Sequence, residues 1–575
     1  MEKRWVVKPI HDKQAVYELS HELGISNILA RLLVLRGIST FQQSKDFFRP
    51  SSNQIHSPSL LKDMDLALSR IMRAIETEEK ILIYGDYDVD GTTAVALLYQ
   101  FIRNELGYKL LSYYIPDRYN EGYGVSKQGV KHAIESGYTL IITLDCGISD
   151  FNSIATAKAN RIDVIVADHH MPSTETPAAL AIINPKQKDC SYPYKELSGC
   201  GLAFKIIQGL AQRYELPKES YLQYLQLVAI SNACDIVEIK GENRTLASYG
   251  LRQLNESPNK GLRALIELFN VNNTPLSFED VAFQIGPRIN AAGRIAHAKL
   301  AVELLLAETA TKGHEIANQL NDLNSERKTL DKSHTQEAIT ELSSAEGSPA
   351  LNQHSVVVYN SSWHKGVIGI VASRLVEKYH RPTIVLTQSN GLLTGSARSV
   401  KGINIHQAIS ECQHLLKAYG GHQSAAGLSM FEDNLNHFQK HFDQTINQQT
   451  GGSPIIPELE IDAEVELSDI SPKFIRILKQ FEPFGPGNMQ PVFITKNITE
   501  YAAWKITGNN HLKFIIKPSD SIIFDCIGFN LGDYVDLFLA GQSIDICYTI
   551  AEKCWNNKTF IQFFIKGIRP HNEDN

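Results

Sequence analysis

Three short acidic segments carry the chemistry of this chain: Tyr84-Gly-Asp-Tyr-Asp-Val-Asp-Gly91, Thr143-Leu-Asp-Cys-Gly147 and Val166-Ala-Asp-His-His170. Carboxylate oxygens suit hard divalent cations such as Mg²⁺, and an added imidazole shifts the preference toward Mn²⁺. If the segments share one end of a sheet, Asp86, Asp88, Asp90, Asp145, Asp168, His169 and His170 converge on one crevice. Five carboxylates cannot stay ionised that close together in an apolar setting without a cation to offset their repulsion. The pattern therefore predicts a site for two divalent cations, Mn²⁺ or Mg²⁺, roughly 3.5–4 Å apart. Such a pair serves phosphate hydrolysis by activating water and neutralising charge on the leaving oxygen. Asp145, alone at its strand end, suits a carboxylate shared by both ions.

The elements around these segments set the geometry. Lys80-Ile-Leu-Ile, Leu140-Ile-Ile-Thr and Asp163-Val-Ile-Val precede them and read as buried strands. A helix is expected from Thr92 to Leu106 and a short one from Ile154 to Asn160, with further strands at Leu111 to Ile115 and at Ala181-Ile-Ile-Asn-Pro. Alternating strands and helices imply a parallel α/β sheet, whose ligands bind beyond the carboxyl ends of the strands.

At 575 residues and 43% hydrophobic, the chain is too long for a single core. Five regions are expected: a helical lead-in at 1–55, a catalytic α/β domain at 56–240, a helical region with a long connector helix at 241–345, a second α/β domain at 346–452 and an all-β region at 453–575. In the second α/β domain, helices are expected from Gly366 to Tyr379 and from Ile405 to Tyr419, the latter closed by Gly420-Gly421. Gln444 to Gly452 reads as a linker. No apolar run approaches the ~18 residues of a membrane span, and the first residues lack the apolar core of a signal peptide. Eight scattered cysteines form no C-x-x-C pair, which argues against zinc knuckles and disulfide frameworks and favours a reducing cytoplasm. The net charge of −7 gives no hint of a nucleic-acid partner, although a local basic groove is compatible with it.

Asp168-His169-His170 matches the name-giving motif of the DHH phosphoesterases, and the two upstream acidic segments match that superfamily's first two motifs. The likeness continues through Ser198-Gly-Cys-Gly-Leu-Ala-Phe204, Ala233-Cys-Asp-Ile-Val237, Gly286-Pro-Arg-Ile-Asn-Ala-Ala-Gly-Arg294, His364 to Arg374, Gly395-Ser-Ala-Arg-Ser399, Gly420 to Gly427 and Phe484 to Phe493. In motif order the chain resembles the bacterial single-strand-specific exonucleases of this superfamily over roughly residues 60 to 570. The resemblance implies two α/β domains, of DHH and DHHA1 type, joined by the long connector helix and followed by a C-terminal β-barrel of OB type. It implies 5′→3′ hydrolysis of single-stranded DNA to mononucleotides by a two-metal mechanism, in DNA repair and recombination. It assigns Asp88 to one metal, Asp90 to the other, Asp145 to both, and His169 and Asp235 to the second. Asp86 and Asp168 either ligate directly or orient a ligand; His170 either touches a substrate oxygen, gives the leaving 3′-oxygen its proton, or props a neighbour.

Phosphodiester binding also needs cations for the nonbridging oxygens. Arg398 with Ser396 and Ser399 reads as a phosphate clamp. Arg288, Asn290 and Arg294 have the same flavour, Arg118 is placed to meet a terminal phosphate, and His422 to line the cleft. Trp363, Tyr119, Trp504, Phe514 and Phe524 are candidates for stacking on bases. The resemblance further implies a monomer acting on a 5′ end, supplied by a single-strand-binding protein and a RecQ-type helicase. Three rivals stay open. One is a DHH phosphoesterase of short oligonucleotides or cyclic dinucleotides, and another is a DHH pyrophosphatase, both of which lack the carboxy-terminal extension. The third is a replicative scaffold of the same fold that has lost its ligands.

Overall fold

The computed structural model describes residues 3–270, 274–344, 354–519, 522–555 and 558–572. They form two compact units: His56–Asp235 with Tyr249–Ile456, and Met1–Ile55 with Ile236–Ser248 and Pro457–Asn575.

The first of these units contains the parallel sheet. Its strands lie in the order Leu111–Tyr114, Ile81–Gly85, Leu140–Leu144, Asp163–Ala167, Ala181–Ile183, and every pair is parallel. The first strand in sequence is thus flanked by the second and third, so the chain reverses direction along the sheet between Ile81–Gly85 and Leu140–Leu144. A crevice opens at such a switch point, beyond the carboxyl ends. Register fixes what lines it. Gly85 pairs with Leu144 and Leu144 with Ala167, which brings the next residues, Asp86, Asp145 and Asp168, abreast. The central strands Ile81–Gly85 and Leu140–Leu144 are buried along their whole length because helices cover both faces.

The helix after the first strand runs from Val89 to Gln100 and continues as a π-turn through Glu105. It begins three residues before the expected Thr92, because Asp88 caps it by accepting the Gly91 amide at 3.1 Å. The connector helix spans Ala310–Ser344, 35 residues or ~52 Å at 1.5 Å per residue. It packs on Lys260–Glu267 and Gly286–Ile295 along one stretch and on Ile368–Tyr379 along another. The second sheet of the same unit has the order Ala418–Gly421, Ala425–Met430, Leu392–Arg398, Thr383–Ser389, Val356–Tyr359. Three sequence expectations need correction here. The helix expected from Gly366 starts at Ile368. The one expected from Ile405 to Tyr419 stops at Glu411, and Ala418–Gly421 is an edge strand paired with Ala425–Met430. The stretch read as a linker is mostly the end of the helix Leu435–Thr450.

The other unit holds a seven-stranded mixed sheet ordered Ala463–Glu464, Phe493–Ile498, Ile544–Trp555, Lys558–Pro570, Ile522–Gly528, His511–Ser519, Tyr501–Thr507. Its inward face, with Phe493, Phe514, Phe524, Tyr548 and Phe563, shares one core with Leu19, Leu29, Leu32, Leu33 and Phe47 from the helices of the first 55 residues. Arg244 ties this unit together. Its guanidinium donates to five backbone carbonyls, those of Phe47, Gln480, Phe481, Glu482 and Pro483, and lies 3.8 Å from the centre of the Phe47 ring. No helix among the described residues is long and apolar enough to cross a membrane.

Candidate metal centre

The row Asp86, Asp145 and Asp168 forms the floor of the crevice; the loop after Asp168 adds His169 and His170, Asp88 and Asp90 stand at the start of the helix Val89–Gln100, and Asp235 ends the helix Leu225–Cys234. Ligand atoms of Asp86, Asp88 and Asp145 lie within 4.8 Å of one another, as do those of Asp90, His169 and Asp235, and those of Asp145, His169 and His170. Asp145 thus belongs to two of these groups and His169 to two. The His169 Nε2 atom is 3.2 Å from Asp145 Oδ1, 3.5 Å from Asp235 Oδ2 and 3.7 Å from Asp90 Oδ2.

Burial makes this arrangement costly without a cation. Desolvation first, and then the charges of Asp90, Asp88, Asp86 and Asp235, hold the Asp145 carboxyl well above the usual carboxylate range. Asp86 is raised in the same way by burial and then by Asp88. Asp90 is pushed up to about 8 by burial, then by Asp235 and Asp88. Desolvation holds His169 down at about 4, so it offers a neutral imidazole. The buried atoms Asp86 Oδ1, Asp145 Oδ1 and Asp235 Oδ2 accept no hydrogen bond. Crowded, unsatisfied carboxyl oxygens beside a neutral imidazole are the donor set of Mn²⁺ or Mg²⁺, so the residues present fit two such ions.

Local structure explains the placement. The helix Gly199–Arg213 points its free N-terminal amides at Asp90: Gly199 N–H donates to Oδ2 at 2.6 Å and Cys200 N–H to Oδ1 at 2.7 Å. The Ser231 hydroxyl adds a third bond at 2.7 Å. Unpaired amides and the helix dipole both favour the carboxylate there. A Cβ at Gly199 would stand 2.6 Å from Asp145 Cβ, so only glycine lets the helix come this close to the cluster.

Asp168 sits apart from the ligand groups. Its Oδ2 accepts the Ile148 amide at 2.9 Å, while Oδ1 accepts the His170 amide at 3.0 Å and the His170 ring Nδ1 at 2.8 Å. These bonds keep Asp168 ionised below the usual range although burial opposes its charge. Burial also opposes charge on His170, but the Asp168 bond and charge outweigh it and raise this imidazole to about 9. With Nδ1 committed to Asp168, Nε2 is the nitrogen left for substrate. The His422 ring lies nearly parallel to His170, centroids 6.3 Å apart.

The cationic residues divide. Arg294 and Arg398 are half-buried, with Arg118 close to both. Desolvation and then the mutual repulsion of Arg118, Arg327 and Arg398 lower Arg294 to about 9, with the charge of Asp88 opposing the shift; Arg398 is lowered by burial and by Arg118. Three guanidiniums gathered beside an acidic cluster mark a place for an anion. Arg398 donates to Ser396 Oγ at 3.0 Å, and both side chains lie against Gly369 in the first turn of the helix Ile368–Tyr379. Arg294 donates to the Gly366 carbonyl at 3.2 Å, and the Tyr119 hydroxyl donates to the Arg294 carbonyl. Asn290 is half-buried, one helical turn before Arg294. Arg288 points elsewhere. It is 7% exposed, donates to Asn321 and Gln284, and covers the Phe269 ring; it joins its helix to the connector. The Ser399 hydroxyl is spent on the Ile403 carbonyl at 2.9 Å. Trp363, Phe514 and Phe524 are core residues, leaving Trp504 as the exposed aromatic of the β unit among those considered for stacking.

Sequence reasoning passed over Tyr123, whose hydroxyl is 3.1 Å from both His170 Nδ1 and the Asp145 carbonyl oxygen, and Ser231, which holds Asp90. It also passed over Lys365, whose ammonium lies 5.8 Å from the Tyr119 ring centre. Tyr123 stands in Glu121-Gly-Tyr-Gly, where an aromatic between two glycines was the available signal.

Comparison with known proteins agrees with this geometry. The DHH family, N-terminal domain, matches residues 80–231; the DHHA1 domain matches 352–448; the RecJ OB domain matches 461–567. The single-stranded-DNA-specific exonuclease RecJ of Bacillus subtilis is 36% identical over 98% of this chain and 70% of its own length. The protein of the same name from Haemophilus influenzae is 32% identical over 96% of this chain and 98% of its own. The crystal structure of RecJ from Thermus thermophilus in complex with Mn²⁺ superposes with a TM-score of 0.84 at 28% identity, covering 99% of this chain and 80% of that one; a Mg²⁺ complex of that RecJ gives 0.78 at 26% identity, over 99% of this chain and 79% of that one. The chain belongs to the RecJ family.

Proposed function

We propose that this chain is a single-stranded-DNA-specific exonuclease that hydrolyses phosphodiester bonds from the 5′ end, releases nucleoside 5′-monophosphates, and serves DNA repair and recombination. The observation that carries the reading is the row Asp86, Asp145, Asp168, set by strand register and joined by Asp88, Asp90, His169 and Asp235, with Arg118, Arg294 and Arg398 gathered beside it. Two divalent cations held by these ligands supply Lewis acidity toward phosphate oxygens and make water a nucleophile near neutral pH. Asp88 and Asp86 would hold one, Asp90, His169 and Asp235 the other, with Asp145 shared. Arg398, Ser396, Arg294 and Arg118 hold the nonbridging and terminal phosphate oxygens in line for attack. His170, backed by Asp168, gives the leaving 3′-oxygen its proton from Nε2. The reading of polarity and strand preference rests on the names of the relatives and on the RecJ OB domain. Family resemblance likewise supports a monomer in the cytoplasm, supplied with strands by a single-strand-binding protein and a RecQ-type helicase.

The test is a strand of one sequence labelled at the 5′ or the 3′ end, offered single-stranded and as duplex with Mn²⁺ or with EDTA. Labelled mononucleotide released early from the 5′-labelled single strand only, and lost with EDTA, is the expected result. Early mononucleotide from the 3′ label, equal cutting of duplex, or cleavage restricted to strands of a few nucleotides would overturn it, the last in favour of a short-oligonucleotide phosphoesterase.

A further inference from the structure

Among the groups that contact the site without a role in it, Tyr123 is the most constrained. It lies between Gly122 at φ 83° and Gly124 at φ 90°; before it, the Gly122 amide donates to the Asp117 carbonyl at 3.2 Å, and the residues after it are pinned as well. A Cβ at Gly124 would stand 2.7 Å from both oxygens of Asp150, and Asp150 Oδ2 accepts the Val125 amide at 2.7 Å. The buried Tyr84 hydroxyl donates to the Gly124 carbonyl at 3.1 Å and accepts the Ser126 amide at 3.0 Å. The loop backbone is therefore held in place where it carries the exposed Tyr123 ring over the cleft.

Its hydroxyl meets two groups at once, the Asp145 carbonyl oxygen and His170 Nδ1, each at 3.1 Å. A phenol has one proton to give. The carbonyl can only accept, and Nδ1 carries its proton for Asp168 at 2.8 Å. The hydroxyl must then donate to Asp145, which turns an oxygen lone pair toward the Nδ1–H. A phenol keeps its proton at neutral pH. The Asp145 backbone is itself fixed, at φ 60° and with its amide on the Ala167 carbonyl at 3.0 Å. Asp168 and Tyr123 thus grip the same ring nitrogen from two sides, and neither alone fixes the ring plane.

We infer that Tyr123 is a positioning residue for the reaction: its hydroxyl, anchored on the Asp145 carbonyl, holds the His170 ring so that Nε2 is the nitrogen presented to the leaving 3′-oxygen. This rests on the reading of His170 as proton donor. In that step water gives a proton to solvent as its oxygen forms the bond to phosphorus, while the bond from phosphorus to the 3′-oxygen breaks. The electron pair goes to the 3′-oxygen, which takes the Nε2 proton. A 3′-sulfur in the same place leaves as a stable thiolate and needs no proton, so it reports on the donor alone.

The experiment compares wild type, Tyr123→Phe and His170→Gln in Mn²⁺. One strand is all-oxygen; in the other, sulfur replaces the bridging 3′-oxygen of the first linkage. Phenylalanine keeps the edge-to-face contact with His170, centroids 5.7 Å apart, and removes only the hydroxyl. Tyr123→Phe is expected to lower kcat about tenfold on the oxygen strand, a fraction of the full worth of a general acid. KM and Mn²⁺ affinity should stay within about twofold, and wild-type kcat should return on the sulfur strand. An equal defect on both strands, no defect on the oxygen strand, or weakened Mn²⁺ binding would each overturn the inference. The histidine variant separates the two layers. If sulfur fails to rescue His170→Gln, the donor reading itself fails; if sulfur rescues it but not Tyr123→Phe, only the role of Tyr123 fails.

Discussion

Removing one charge from the metal centre should stabilise the protein while disabling it. In Asp145→Asn the isosteric amide replaces a carboxylate that is 2% exposed and whose ligand oxygen lies within 4.8 Å of ligand atoms of Asp86 and Asp88. At that separation two full charges repel by about 3.5 kcal/mol at an effective dielectric constant near 20. The metal-free cluster relieves part of this by holding protons, as the raised Asp86, Asp90 and Asp145 show, so the net gain in EDTA at neutral pH should be about 1–2 kcal/mol. The sign with pH follows. Carboxyls raised in the fold bind protons more tightly than in the unfolded chain, so this contribution to stability falls as pH rises from the ordinary carboxylate range through the raised values, and it should fall less in the variant. Cations reverse the order. Saturation at a hundredfold excess over Kd adds about 2.7 kcal/mol to wild type, and loss of Asp145, proposed above as the shared ligand, should remove most of that. The assay is thermal unfolding of both proteins in EDTA and in a Mn²⁺ series, where each kcal/mol moves the midpoint of the site-bearing unit by roughly 2–4 °C. A variant less stable than wild type in EDTA, or one with the full Mn²⁺ shift, would refute the reasoning.

Other perturbations give distinct signatures. Gly199→Ala forces a methyl against Asp145 Cβ and should cost about 1–3 kcal/mol of stability together with Mn²⁺ affinity; wild-type Mn²⁺ binding by calorimetry would contradict the close-approach argument. Arg398→Ala should raise KM for single strands and flatten its salt dependence by about one phosphate contact, read from kinetics at several ionic strengths. An unchanged salt slope would remove Arg398 from the phosphate path. Arg244→Ala leaves five carbonyls without their shared donor and should lower the stability of the β unit by about 3 kcal/mol or more, seen in denaturant unfolding, with lysine unable to restore the five bonds. The Glu79 carboxyl, which accepts Thr139 and Arg70, is held below its ordinary 4.5 although burial opposes this. Its stabilisation is present above that value and lost as pH falls through the lowered one. Because the group is partly exposed the effect is worth about 1 kcal/mol or less, and Glu79→Gln should lose the corresponding acid limb of the stability curve.

The metal centre was legible in the sequence for a physical reason. Each β-branched run ends in its aspartate at the same register, so strand spacing alone brings Asp86, Asp145 and Asp168 abreast, and Asp235 entered through its motif. Contacts across long separations were not legible. The amides that hold Asp90 come from Gly199 and Cys200, more than a hundred residues away, and Leu29 shares its core with Phe493 at a far greater separation. Arg288 and Arg294 lie in one motif with the same residue type. Only packing shows that the first meets Asn321 and the second meets Gly366, within the field of Arg118, Arg398 and Asp88. The apolar spacing after Ile405 suggested a longer helix, but Ala418–Gly421 gains backbone partners in Ala425–Met430 that no helical period reveals. Phe514 and Phe524 alternate along strands in the same way whether the face they share is wet or buried.

The most direct test of the central claim is a count of Mn²⁺ ions bound per chain, taken during a titration that also follows release of 5′-labelled nucleotide from a single strand. Two ions per wild-type chain are expected, with activity that rises as they bind, and loss of both the second ion and the activity in Asp145→Asn. Full activity with one ion or none, or two ions bound by Asp145→Asn with undiminished release, would contradict that claim.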